Sequence, residues 1–269
     1  ETNGDARVTN LSARTAVGGV AGTPILGFVV TGGDKRVIVR GVGPGLTAFG
    51  VTGALADPVL ELRQDSTLVQ TNDNWLAADA AAMAASGAFA LTAGSKDAAL
   101  VTTLPANAYT AQTLSSDPTS GVALVEIYDT GTGSTAARLV NASARAYVGT
   151  GAAVLIPGIA VGGGGASGLL IRAAGPALGK FGVTDAIADP VIALYRGNAL
   201  IATNDDWGTA TNAAHVTATA AAVGAFAFDA GSRDAALLMT LPAGVNYTVQ
   251  VSGKNNTTGT ALVEFYLVP

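Results

Sequence analysis

The chain contains the same stretch twice. Ala56–Trp75 reads ADPVLELRQDSTLVQTNDNW, and Ala188–Trp207 reads ADPVIALYRGNALIATNDDW. In each, Asp-Pro opens a short apolar run, a polar turn follows, and a second apolar run closes on Asn-Asp-x-Trp. Turn residues at both ends of two short apolar runs describe a β-hairpin. The duplication extends well beyond the hairpin. Arg7–Arg14 matches Arg138–Arg145, Phe49-Gly-Val-Thr52 matches Phe181-Gly-Val-Thr184, and Gly87-Ala-Phe-Ala90 matches Gly224-Ala-Phe-Ala227. Ala123-Leu-Val-Glu126 matches Ala261-Leu-Val-Glu264. The spacing changes only where loops gain residues, chiefly at 208–222, as a shared fold tolerates. We therefore expect two copies of one unit, residues 1–130 and 137–269. Each is of ordinary single-domain size, about 130 residues. Residues 131–136, rich in Gly, Ser and Thr, read as the linker.

Within each copy, apolar and polar residues alternate with period two, the mark of half-buried strands. Leu60 and Leu62 share one face, as do Ile192 and Leu194, and Tyr247, Val249 and Val251. In the first copy we read eight strands: 7–15, 24–31, 36–41, 59–63, 67–71, 98–104, 108–114 and 121–128. Many short strands with Gly, Pro, Asn or Asp between them predict an all-β fold. Eight per copy predicts two tandem antiparallel β-sandwiches of jelly-roll type. Two segments depart from strand periodicity. Ala77–Ala85 is built of strong helix formers, and its counterpart Asn212–Val223 is Ala-rich with more Thr. A short helix is expected at each, with an extended loop as the alternative. The glycine runs Gly18-Gly19 and Gly162–Gly165 read as hairpin loops.

Charge and composition exclude several functions. Charged residues are 12% of the chain, about half the usual share, and the net charge is −5 with no basic stripe. That argues against nucleic acid or an anionic membrane surface as partner. No apolar run is long enough to span a bilayer. Cysteine is absent and histidine occurs once, at His215, so thiolate and poly-histidine metal sites are excluded. A chain beginning Glu1-Thr-Asn-Gly4 is consistent with removal of a signal peptide. Sparse charge with abundant Gly and Thr suggests a secreted or cell-surface bacterial protein.

Oxygen-rich turns are the candidate metal site. Asp57, Asp73 and Asp97 recur as Asp189, Asp205 and Asp234. Carboxylates from loops at one end of a sandwich can hold Ca²⁺, which takes six to eight oxygens. The competing reading is that they cap turns, bonding the backbone two residues on. Glu126 and Glu264 sit mid-strand between apolar neighbours and need partners. Arg40 or Lys96 would serve Glu126, and Arg172 or Arg233 would serve Glu264. Trp75 and Trp207 beside Asn and Asp suggest sugar stacking, against simple packing over the sandwich end. No nucleophile elbow, phosphate-binding glycine loop or zinc-protease motif is present, so no enzymatic activity is expected.

The succession Asn-x-Ser-x-Arg, Ile-Arg-x-x-Gly-Pro, Asp-Pro, Asn-Asp-x-Trp, Gly-Ala-Phe, Asp-Ala-Ala-Leu and Gly-x-Ala-Leu-Val-Glu-x-Tyr resembles a repeat of large secreted proteins of environmental bacteria. The resemblance spans both copies and implies secretion and modularity, with no activity attached. Tyr247–Glu264 is also similar to the bacterial pre-peptidase C-terminal jelly-roll domain. The first copy departs from that pattern, with Leu114-Ser-Ser-Asp-Pro118 where Val-Ser-Gly is expected. With two modules and no cargo, the expectation is an extracellular structural protein. It would self-assemble by strand addition or head-to-tail contacts into a filament or surface layer, as a homo-oligomer or homopolymer. The candidate donors are the N-terminal arm through Arg14 and the final strand Ala261–Val268. The alternative is a carbohydrate-binding or adhesive module pair that takes a polysaccharide.

Overall fold

The computed structural model describes residues 7–133, 136–163 and 165–268. The N-terminal arm before Arg7, Ser134 and Thr135 of the linker, and Gly164 of the second glycine run lie outside them. The fold is all-β, and the chain divides into two compact units, Thr9–Val140 and one built on Asn141–Pro269.

The first unit contains β1 (Arg7–Val17), β2 (Ile25–Thr31), β3 (Lys35–Val42), β4 (Pro58–Gln64), β5 (Thr67–Asn72), β6 (Ala98–Leu104), β7 (Asn107–Ser115) and β8 (Gly121–Gly133). Their antiparallel pairing gives one sheet in the order β1-β8-β3-β6. A second sheet runs β2-β7-β4-β5. The second unit contains β9 (Arg138–Val148), β10 (Ile156–Gly162), β11 (Ala166–Ala174), β12 (Pro190–Arg196), β13 (Ala199–Asn204), β14 (Ala235–Pro242), β15 (Asn246–Gly253) and β16 (Gly259–Val268). It repeats the order as β9-β16-β11-β14 and β10-β15-β12-β13. This is the strand order of a jelly roll, in which the chain winds between two four-stranded sheets.

Among the described strands, one step per unit joins neighbours in sequence that also pair, β4 to β5 and β12 to β13. It is the hairpin legible in the sequence. Its turns place Asp65 and Gly197 in the left-handed region, at φ of 52° and 58°, conformations that Asp tolerates and Gly favours. The glycine runs are a correction. Gly18-Gly19 joins β1 to β2, and the second run joins β10 to β11. Each pair belongs to different sheets, so these loops cross the sandwich and do not close hairpins. The linker also differs from expectation. β8 continues to Gly133, where it pairs with Lys35, so strand occupies half of 131–136.

Alternation sets the core. Leu60, Leu62, Ile192, Leu194, Tyr247 and Val249 are all buried. β3 breaks the pattern, being buried on both faces from Val37 to Val42. Its second face lies under the β5–β6 connection, which carries α1 (Ala80–Ala85). Met83 of α1 packs with Ile38, Val42, Leu46, Leu91, Ala99 and Tyr128. In the second unit the connection is longer and α2 runs Ala213–Ala222. There Val216 and Ala220 pack with Leu170, Ala225, Ala236 and Tyr266. Both Ala-rich segments are thus helical, α2 including its Thr residues. Each helix covers a strand face whose burial would otherwise be incomplete.

Candidate functional site

The six candidate metal carboxylates are not brought together. Asp97 is fully buried. Its Oδ1 accepts the backbone N–H groups of Gly43 at 2.9 Å and Gly45 at 3.0 Å, and its Oδ2 accepts the Ser95 hydroxyl at 2.6 Å. Asp234 repeats this with Gly175, Ala177 and Ser232 at 2.7, 3.2 and 2.7 Å. Asp57 faces Lys96 at 3.7 Å, Asp189 faces Arg233 at 3.1 Å, and Asp205 faces Lys254 at 2.7 Å. Asp73 is exposed in its turn. Among the described residues no three carboxylate or imidazole groups converge on a metal position.

The Asn-Asp-x-Trp motif acts as a clip. Asn72 Oδ1 accepts the Ala99 N–H at 2.9 Å, and the Trp75 N–H donates to the Asp97 carbonyl at 2.8 Å. The Trp75 indole N–H donates to the Thr92 carbonyl and Ser95 hydroxyl, both at 3.2 Å. Asn204 and Trp207 repeat these bonds. The clip ties the end of β5 to β6, which explains why the motif recurs with Asp-Ala-Ala-Leu. Both indoles are half-buried with their N–H groups engaged.

Beneath the helix-bearing connections lies a buried ionic layer. Register alone places Arg40 opposite Glu126 and Arg172 opposite Glu264. Of the alternatives open from sequence, these are the pairs formed, while Lys96 and Arg233 serve Asp57 and Asp189. In the first unit the pair is complete. Arg40 donates Nε and Nη2 to Glu126 Oε2 at 2.8 and 2.5 Å, and Nη1 to the Phe89 carbonyl at 2.7 Å. The Tyr128 hydroxyl donates to Glu126 Oε1 at 2.8 Å. The Phe89 ring lies 4.3 Å from the guanidinium. Burial, then the Glu126 charge, push the Tyr128 phenol well above its ordinary value.

The second unit keeps the residues and loses the bonds. Arg172 Nε stands 3.5 Å from Glu264 Oε2. None of Nε, Nη1 and Nη2 makes a hydrogen bond to the protein. Two rings, Phe226 at 4.4 Å and Phe228 at 3.9 Å, flank the guanidinium. Arg172 also lines a pocket of about 100 Å³ walled by Trp207, Val216, Ala220, Ala225, Phe226 and Phe228. This pocket was missed from sequence. The available signal was the insertion at 208–222 and the replacement of Met83 by Ala220 at the same place in the repeat.

Burial raises the Glu264 carboxyl above its ordinary 4.5, against the pull of Arg172 and the Tyr266 hydrogen bond. The folded chain therefore keeps this proton to higher pH than the unfolded chain does. Its contribution to stability falls as pH rises from the ordinary value through the raised one. Glu264→Gln is expected to flatten that part of the stability curve, read from urea midpoints across the weakly acidic range. An unchanged slope contradicts the assignment.

The last feature is at the sheet edges. β5 pairs only with β4, and β13 only with β12, among the described strands. Thr67–Thr71 are all exposed, including Leu68 at 46% and Val69 at 39%. On β13, Leu200 is 54% and Ile201 38% exposed. Neither strand carries a charge or a proline. Each skips one residue in its ladder, Val69 and Ile201, a bulge that leaves regular edge on either side. An open groove of about 810 Å³ runs beside β13, lined by Ala202–Asp205, 209–212 and 236–239. By contrast, the final strand β16 is hydrogen-bonded on both sides, to β11 and β9. β1 is paired to β8 from Asn10 to Val17. β16, and β1 from Asn10 onward, are thus already strands of this chain's own sheets, and the arm before Arg7 lies outside the described residues.

No protein-family model matches the chain, and no curated protein matches it. Among solved structures it is similar to the vicilin of Solanum lycopersicum (tomato), at 7% identity and a TM-score of 0.20, over 96% of this chain and 74% of the vicilin. Likeness at that level carries no argument.

Proposed function

We propose that the chain is a structural protein that assembles with copies of itself, β5 of one copy pairing with β13 of the next. The observation that carries this is the pair of edges, which are uncharged, expose Leu68, Val69, Leu200 and Ile201, and are paired on one side only among the described strands. Neither carries the Lys, Pro or inward charge that guard many edge strands; a short length and one bulge are the only guards they keep. The repeat supplies the matching surface. Both edges are six residues long, turn from the same hairpin, and bulge at the same position, so one chain carries both halves of a heterologous contact. Contacts of that kind propagate into open polymers, and backbone hydrogen bonds provide the affinity. The resemblance to secreted bacterial repeats fits an assembly outside the cell. The lone histidine, His215, is exposed on α2, and the reading assigns no catalytic role.

Leu68→Lys and Leu200→Lys place a charge on each edge in turn. Sedimentation velocity of the intact protein is expected to show species that grow with concentration, and either variant is expected to abolish them. A monodisperse monomer at every concentration sinks the proposal.

A further inference from the structure

We propose that the Arg172 pocket of the second unit binds a short-chain monocarboxylate, its carboxylate on the guanidinium and its hydrocarbon chain against the apolar wall. Arg172 is 1% exposed and has no hydrogen-bond partner for any of its three nitrogens. A guanidinium is donor-only, and a buried one without acceptors is costly. The nearest anion does not relieve it. Glu264 Oε1 accepts from the Tyr266 hydroxyl at 2.6 Å, and Oε2 makes no hydrogen bond. With Phe226 and Phe228 against the guanidinium, what it lacks is hydrogen-bond acceptors.

The first unit is an internal control. Arg40 is fully engaged there, and Met83 packs over it with its sulfur 3.9 Å from Nη1. Ala220 takes the place of Met83, both standing three residues before the residue that ends the helix, Ser86 and Val223. The side chain that fills the space in one unit is therefore absent in the other, and the pocket lies there. Its walls are Val, Ala, Phe and Trp, with Thr217 at the side donating its hydroxyl to the Ala213 carbonyl. A ligand for this site must present oxygen acceptors at one end only. A carboxylate matches a guanidinium fork. An apolar cavity of about 150 Å³ accepts benzene, so one of about 100 Å³ suits a chain of roughly three to five carbons. Glu264 stands beside the head group, and burial pushes its carboxyl toward the neutral form, which limits repulsion.

Butyrate is the probe, titrated into the intact protein by calorimetry, with chloride and 1-butanol as controls. Saturable binding of butyrate alone is expected, and Ala220→Met should weaken it roughly tenfold or more. Met83→Ala should leave it unchanged and create no second site, because Arg40 already has its acceptors. Proton NMR on the unmodified protein gives a readout that needs no variant: contacts from the butyrate methyl to the methyls of Ala220 and Ala225. No saturable binding, equal binding of butanol, binding that survives Ala220→Met, or contacts elsewhere overturns the proposal. The assembly reading stands or falls separately.

Discussion

Glu126→Ala is expected to destabilise the protein by about 3–5 kcal/mol, the usual cost of breaking a buried pair from one side. Arg40 is wholly buried and Glu126 nearly so. The substitution removes the acceptor of two guanidinium bonds and of the Tyr128 hydroxyl. What remains is a charge under Met83 and Phe89 with one carbonyl for company. Glu126→Gln keeps an acceptor in place and should cost less. Glu264→Ala should also cost less than Glu126→Ala, because Arg172 makes no hydrogen bond to Glu264 that the change could remove. Urea denaturation of the three variants gives the ordering. Equal losses at Glu126 and Glu264 contradict the difference drawn between the units.

The loop lock at Asp97 should be of similar weight. Asp97→Ala removes the acceptor of the buried Gly43 N–H and of the half-buried Gly45 N–H and Ser95 hydroxyl. At about 1–3 kcal/mol for a buried unsatisfied group, and less for the two that water reaches in part, the loss is on the order of 2–5 kcal/mol. Gly43→Ala tests the same loop from the backbone. A Cβ there would stand 2.1 Å from the Leu55 carbonyl oxygen, so the loop must move and surrender the bonds to Asp97. Gly175 meets the Ile187 carbonyl oxygen at 2.3 Å in the same way, and Asp234→Ala should match Asp97→Ala. Denaturant midpoints measure both. A loss below about 1 kcal/mol at Asp97 would mean that water reaches those amides.

Strand positions and faces were legible because burial imposes a period of two, and Leu60, Leu62, Tyr247 and Val249 obeyed it. Partners were not, since periodicity says which face is buried and nothing about which strand lies alongside. Hence the glycine loops were read as hairpins although they cross between sheets. The acidic turns looked like ligands because Asp97 and Asp234 are defined by backbone donors distant in sequence, Gly43 and Gly175. The charged pairs were narrowed to two partners each, and only register chose between Arg40 and Lys96. The open edges were not legible, because the exposure of β5 and β13 depends on their being last in the sheet.

Hydrogen exchange on β5 and β13 tests the assembly most directly. Amides that become paired to another copy exchange more slowly as the protein is concentrated, while those of a lone edge do not change. Slowing with concentration that is confined to the Thr67–Asn72 and Ala199–Asn204 edges is the predicted result. Exchange there that is fast and independent of concentration contradicts it.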